Sequence, residues 1–117
     1  MSQHKDRIRL QHMLDSAREA LSLIERRTKE DIAADRVLTL ALIRLMEVVG
    51  EAAARVSAAG QECNPRIPWS QIVGLRNRLI HGYDSVDMDI LWNILCSDLP
   101  FLVSALGPAL APESIDE

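Results

Sequence analysis

A chain of 117 residues suits one domain with one core. Hydrophobic residues make up 48%, charged residues 26% and aromatics 3%, which excludes a disordered chain and disfavours a β fold, because no run alternates β-branched or aromatic with polar residues. The net charge of −4 argues against a uniformly basic nucleic-acid binder, but the seven acids and no base from Asp84 onward leave the rest of the chain basic, so a local phosphate site remains open.

The elements predicted in chain order are all helices. The first covers about 4–27, with Ile8, Met13 or Leu14, Ala17, Leu21 and Ile24 at helical spacing. Arg26, Arg27 and Lys29 suit its C-terminal end, where cations meet the negative end of the helix dipole. A second, long helix starts near Thr28–Asp31, a variant capping box, and runs to about Ala59 with Gly60 closing it. It is nearly apolar all round from Val37 to Val56, as the central helix of a bundle would be. Residues 61–67 form a loop, and Pro68 opens a third helix that runs to Ile80 or His81 and ends at Gly82. A turn follows at YDSV (83–86). Ser85 or Asp87 caps a fourth helix over 87–98, and Pro100 kinks or restarts the chain into a short helix near 100–106. The expected architecture is an all-α, four- to five-helix bundle over 1–106, with an acidic tail at 107–117.

No run looks long and apolar enough to span a bilayer, since Gly107 and Pro108 interrupt the best candidate, FLVSALGPALA (101–111). The opening MSQHKDR is polar and resembles no signal peptide, so a cytoplasmic location without membrane contact is expected. Cys63 and Cys96 have no metal or redox spacing and read as two reduced structural thiols. No Asp, His or Cys cluster suggests a metal site, and no cofactor is expected.

Two features need a chemical account. On the central helix, Arg44, Glu47, Glu51 and Arg55 fall within an arc of about 80°. Arg44–Glu47 and Glu51–Arg55 are spaced to pair, so the strip either faces water as a self-satisfied edge or lines a cavity or second subunit. The other feature is GLRNRLIHGYD (74–84), with the spacing Arg-x4-His-x-Tyr at Arg76, His81 and Tyr83. On a continuous helix Arg76 and His81 point about 140° apart, so one copy does not easily aim both at one phosphate. Asn77 and His81, at i,i+4, would share a face, and the Asn amide could fix the imidazole tautomer. Two copies across a two-fold axis would place two Arg and two His around one groove, enough for metal-free RNA cleavage by acid–base chemistry and charge stabilisation. The plain alternative is a surface helix ending in a cationic His-Gly.

Over a wider span, DRVLTLALIRLMEVVGEAA (35–53) and IPWSQIVGLRNRLIHGYDSVDMDILWNIL (67–95) resemble the HepT-like family of the HEPN superfamily. Gly50–Glu51–Ala52, Ile67–Pro68–Trp69, the Arg-x4-His-x-Tyr motif and Trp92 agree in order and spacing. The resemblance implies a HEPN-like homodimer with the motif near its groove, and a metal-independent ribonuclease toxin in which Arg76 and His81 are catalytic. It also implies a partner, an MntA-like nucleotidyltransferase antitoxin that modifies Tyr83 with AMP. Asn77 takes the polar position after the Arg, and Glu47 and Glu51 would line the same region. An alternative is a non-catalytic helical dimer that binds the nucleotidyltransferase and serves as its AMP acceptor, or a nucleotide-binding module.

Overall fold

The computed structural model describes residues 2–81 and 85–111, the side chains of 2, 3 and 81 apart. The fold is all-α, as expected, with one two-residue hairpin. Helix α1 spans Ser2–Leu23. It ends in a turn where Arg26 has φ 63, a left-handed residue that stops the helix as a glycine would.

The long second helix of the sequence reading is three helices. Thr28 and Asp31 form the expected capping box on α2, Lys29–Ala33. Asp35 then turns extended and accepts the Leu38 N–H at 3.0 Å, which starts α3, Arg36–Ala54. A capping carboxylate competes with helix continuation, so the chain breaks there. Ser57 repeats the device for α4, Ala58–Glu62, by accepting the Gly60 N–H at 3.0 Å. Gly60 is therefore inside a helix and closes none. A Cβ there would overlap Asp6 Oδ2 and come within 2.8 Å of Val56 Cγ1. Its lack of a side chain admits the buried Asp6 carboxylate, which accepts from the Ser57 N–H (2.9 Å) and hydroxyl (2.6 Å). Those two bonds hold Asp6 below its ordinary pKa.

The expected third helix divides at Gly74 into α5, Trp69–Val73, and α6, Leu75–Leu79. Trp69 Nε1 donates to the carbonyls of Gln61 and Asn64 and pins the start of α5 to the loop before it. After Leu79 the chain turns extended: β1 (Ile80–His81) pairs antiparallel with β2 (Ser85–Val86), in the register Ile80↔Val86 and His81↔Ser85. His81 is thus two residues past the end of α6, and Gly82 lies outside the described residues. Asp87 caps α7, Met88–Asn93, by accepting the Ile90 N–H at 3.0 Å.

A π-helical turn, Ile94–Asp98, joins α7 to α8, Leu99–Leu110. Pro100 has no N–H to give Cys96, and its ring would crowd that carbonyl, so the chain widens one turn early instead of kinking. Helix α8 continues through Gly107 and Pro108 to Leu110, beyond the expected end at 106. Leu110 is buried, and its carbonyl accepts from Arg7 Nη2 at 2.7 Å. Residues 112–117 of the expected acidic tail lie outside the described residues. Met88–Leu110 is one helix of 23 residues, long and apolar enough by length and composition to cross a membrane, contrary to the sequence reading. Its Leu91, Ile94, Leu95, Leu99, Leu102 and Leu106 pack in the core.

The core lies between α1, α3 and α8. Leu38, Leu42, Met46, Val49 and Ala53 recur every three to four residues along α3 and form its buried face. Leu10, Met13, Leu14 and Ala17 meet them from α1. Contrary to the expected all-round burial, Val37 and Leu40 are exposed on α3. They lie on the helical face that carries Arg44, Glu47 and Glu51.

Candidate active site

Leu75 and Leu79, both buried, anchor α6 beside α3. Arg76 and Asn77 therefore face outward between them, towards the exposed side of α3. A cleft of about 230 Å³ opens there, lined by Glu47, Gly50 and Glu51 from α3 and by Val73, Arg76 and Asn77 from α5 and α6. Gly50 makes this close approach: a Cβ on it would sit 3.2 Å from the Ile72 and Val73 carbonyl oxygens.

Glu47 is the junction of the cleft. Its Oε2 accepts from Arg76 Nε across the two helices. Its Oε1 accepts from Arg44 Nη1 at 3.4 Å. Glu51 Oε1 lies 4.0 Å from the same Arg44 nitrogen. The expected Arg44–Glu47 pair is present. Glu51 pairs with Arg44 and not with Arg55, because α3 ends at Ala54 and Arg55 turns into a separate cleft against α1. The strip thus borders a cavity.

Arg76 is bonded through Nε alone. Its two terminal NH₂ groups make no hydrogen bond to another described residue, and its side chain is 56% exposed. A guanidinium fixed at Nε with both ends free is suited to an anion with two oxygens. The nearby Arg78 is not equivalent. It is half-buried and bonded to Asp98 at 2.8 Å, which ties α6 to the π-helical turn. Asn77 also borders a second cleft with Arg78, Asp87, Asp89, Ile90 and Asn93.

The helix geometry behind two of the expectations does not hold. Ile80 has φ −100 and ψ 120, so the 140° divergence and the shared Asn77–His81 face, both computed for a continuous helix, do not apply. The backbone places His81 two residues after α6, in β1, and its side chain is outside the described residues. Tyr83, the expected AMP acceptor, is also outside them. Cys63 and Cys96 are free and exposed.

The structure thus brings Arg76, Asn77, Glu47 and Glu51 into one cleft. The family model "Ribonuclease HepT-like" matches residues 13–107, a span that includes the three helices of this cleft and the hairpin after them. The chain belongs to the HepT-like ribonuclease family. Among its relatives, "Probable ribonuclease HepT" of Thermococcus cleftensis is 35% identical over 103 residues, covering 85% of this chain and 88% of that one. Relatives from Caldanaerobacter subterraneus subsp. tengcongensis and Methanocaldococcus jannaschii, both carrying provisional RNase names, are 31% and 32% identical. They cover 89% and 86% of this chain, and 93% and 92% of their own. No solved structure matches the chain.

In this HepT-like chain the Glu47–Arg76 bond joins residues 29 positions apart on different helices. Spacing along one helix has no means of showing it. The role of Gly50 was equally hidden, because the contact it permits is with backbone from another element.

Proposed function

We propose that this chain is a metal-independent endoribonuclease and the toxin of a toxin–antitoxin pair, acting in the cytoplasm as a homodimer. Arg76 and His81 carry the reaction. His81 takes the proton of a ribose 2′-hydroxyl, and the freed oxygen attacks the adjacent phosphorus. Arg76 balances the charge on the five-coordinate phosphorus. The P–O5′ bond breaks, and a second imidazole, supplied by the other copy, protonates the leaving oxygen. The products are a 2′,3′-cyclic phosphate and a 5′-hydroxyl. Glu47 holds Arg76 through Nε, Glu51 closes the cleft, and Asn77 supports the site from the start of α6. A nucleotidyltransferase antitoxin silences the toxin by adding AMP to Tyr83, two residues beyond His81, where the added phosphate repels the RNA backbone.

The observation that carries this reading is Arg76 itself: fixed at one nitrogen, open at two, in a cleft of a ribonuclease-family chain. Support for a second copy comes from exposed Val37 and Leu40, on the α3 face of the strip, and from exposed Val73 across the cleft. The test is incubation of the purified protein with RNA in EDTA and analysis of the ends. Cyclic-phosphate ends agree with the proposal, and RNA left intact refutes it. Co-expression with the nucleotidyltransferase should raise the intact mass by whole AMP units, and Tyr83→Phe should remove the increase. A mass increase that survives Tyr83→Phe refutes that acceptor.

A further inference from the structure

A third cleft opens on the other side of α3. Arg9 and His12, one turn apart on α1, line it with Val48, Glu51, Ala52 and Arg55. Its volume is about 140 Å³. Three of its six side chains are basic types, and they are poorly satisfied. Arg9 Nε is buried without a hydrogen-bond partner. A buried donor left unmet is costly, and the terminal nitrogens of Arg9 also make no hydrogen bond to a described residue. The side chains of His12 and Arg55 make no hydrogen bond or ion pair to a described residue.

The acids around the cleft do not cancel it. Asp6 lies near enough to Arg9 to feel its charge, but the bonds its oxygens make are to Ser57. Glu51 is in the cleft wall and is shared with Arg44, 4.0 Å away. Two arginines therefore face one carboxylate that already has a partner. Glu51 also lines the Arg76 cleft. The two clefts open on either side of this one α3 side chain, so they are neighbours on the surface.

We propose that Arg9, His12 and Arg55 form a phosphate subsite that grips an RNA backbone phosphate flanking the one at Arg76. The subsite rests on the ribonuclease reading above and adds to it where the substrate strand lies. The phosphate accepts from the terminal nitrogens of Arg9, and Arg55 closes over it from the end of α3. Contacts of this kind fix the position of the strand and carry no sequence information.

The test is equilibrium binding of a short, fluorescein-labelled, 2′-O-methyl single-stranded RNA to the full chain by anisotropy, across a salt series. The 2′-O-methyl groups prevent cleavage. Loss of one phosphate contact makes the slope of log K against log salt shallower by ~0.7 and, by the same relation, weakens binding about fivefold near 0.1 M salt. That is the expected result for Arg9→Gln/Arg55→Gln. Arg55→Gln alone, at an exposed position, should move both readouts in the same direction with an unchanged melting temperature. Arg18→Gln, exposed on α1 outside the cleft, should move neither. If the wild type binds and the cleft variants match it in affinity and slope, the subsite is wrong and the ribonuclease reading stands. If the wild type binds no RNA even at low salt, both fall.

Discussion

Replacing Glu47 by Gln separates support of Arg76 from stability. The side chain is 24% exposed and accepts from two arginines on two helices. Gln keeps the length and one oxygen but loses the charge. Pairs this accessible contribute about 0–1 kcal/mol each, so the loss in stability is ~1 kcal/mol. For a domain of this size that lowers the melting temperature by about 4 °C. The effect on the reaction should be much larger. Arg76 has one anchor, and a misplacement of about 1 Å in a group that stabilises a transition state costs up to ~10²-fold in rate. The two kinetic constants should also divide. Removing a carboxylate from the cleft leaves it more positive, so RNA binds as well or better while kcat falls. Single-turnover cleavage over a range of protein concentrations measures both. An unchanged kcat in Glu47→Gln refutes the positioning role. A loss confined to KM refutes it equally, because it would make Glu47 a ground-state contact.

Three further outcomes follow from the fold. Asp6, held below its ordinary pKa by Ser57, stabilises the fold above pH ~3.8 and loses that contribution as the pH falls through its lowered value. Asp6→Asn should therefore flatten the acid limb of a pH–stability curve measured by urea unfolding, and an unchanged limb contradicts the assignment. Gly60→Ala should lower stability by roughly 1–3 kcal/mol although alanine favours helices, because the new methyl meets Asp6 Oδ2 and Val56. A gain in melting temperature refutes that contact. Ending the chain after Leu106 removes buried Leu110 and the Arg7 acceptor, and should cost about 2–4 kcal/mol by thermal melting. A truncated chain as stable as the full one would show that residues 107–110 add nothing to the core.

What the sequence made legible was local in origin. Helical spacing placed the apolar residues of α1 and α3, and cap chemistry placed Thr28, Asp31 and Asp87. The breaks were harder to see. Asp35 and Ser57 stop and restart the chain by side-chain bonds that compete with an otherwise good helical pattern, and that pattern hid them. Gly60 matched a helix-end rule, but its reason for being glycine lies 54 residues away at Asp6. Pro100 announced a disruption and left its form open, and the π-helical turn is how α7 and α8 remain one helix. In the site, the strip and Arg76 were each visible, since one is periodic and the other sits in a spaced motif. Their meeting through Glu47 was not, because it depends on how α6 lies against α3. The end of α6 at Leu79 shows the opposite risk: treating Ile80 and His81 as helical produced an Asn77–His81 face that the extended backbone removes.

The measurement that tests the central claim most directly is the single-turnover rate of RNA cleavage in EDTA for wild type, Arg76→Ala and His81→Ala, with a thermal melt of each. Arg76 is exposed and pairs only at Nε, so its loss should shift stability by no more than ~1 kcal/mol. Removing a general base or a charge-stabilising group costs about 10²–10⁴-fold in rate. The account predicts a fall of that size in both variants with folding intact. Full cleavage by either folded variant would contradict it.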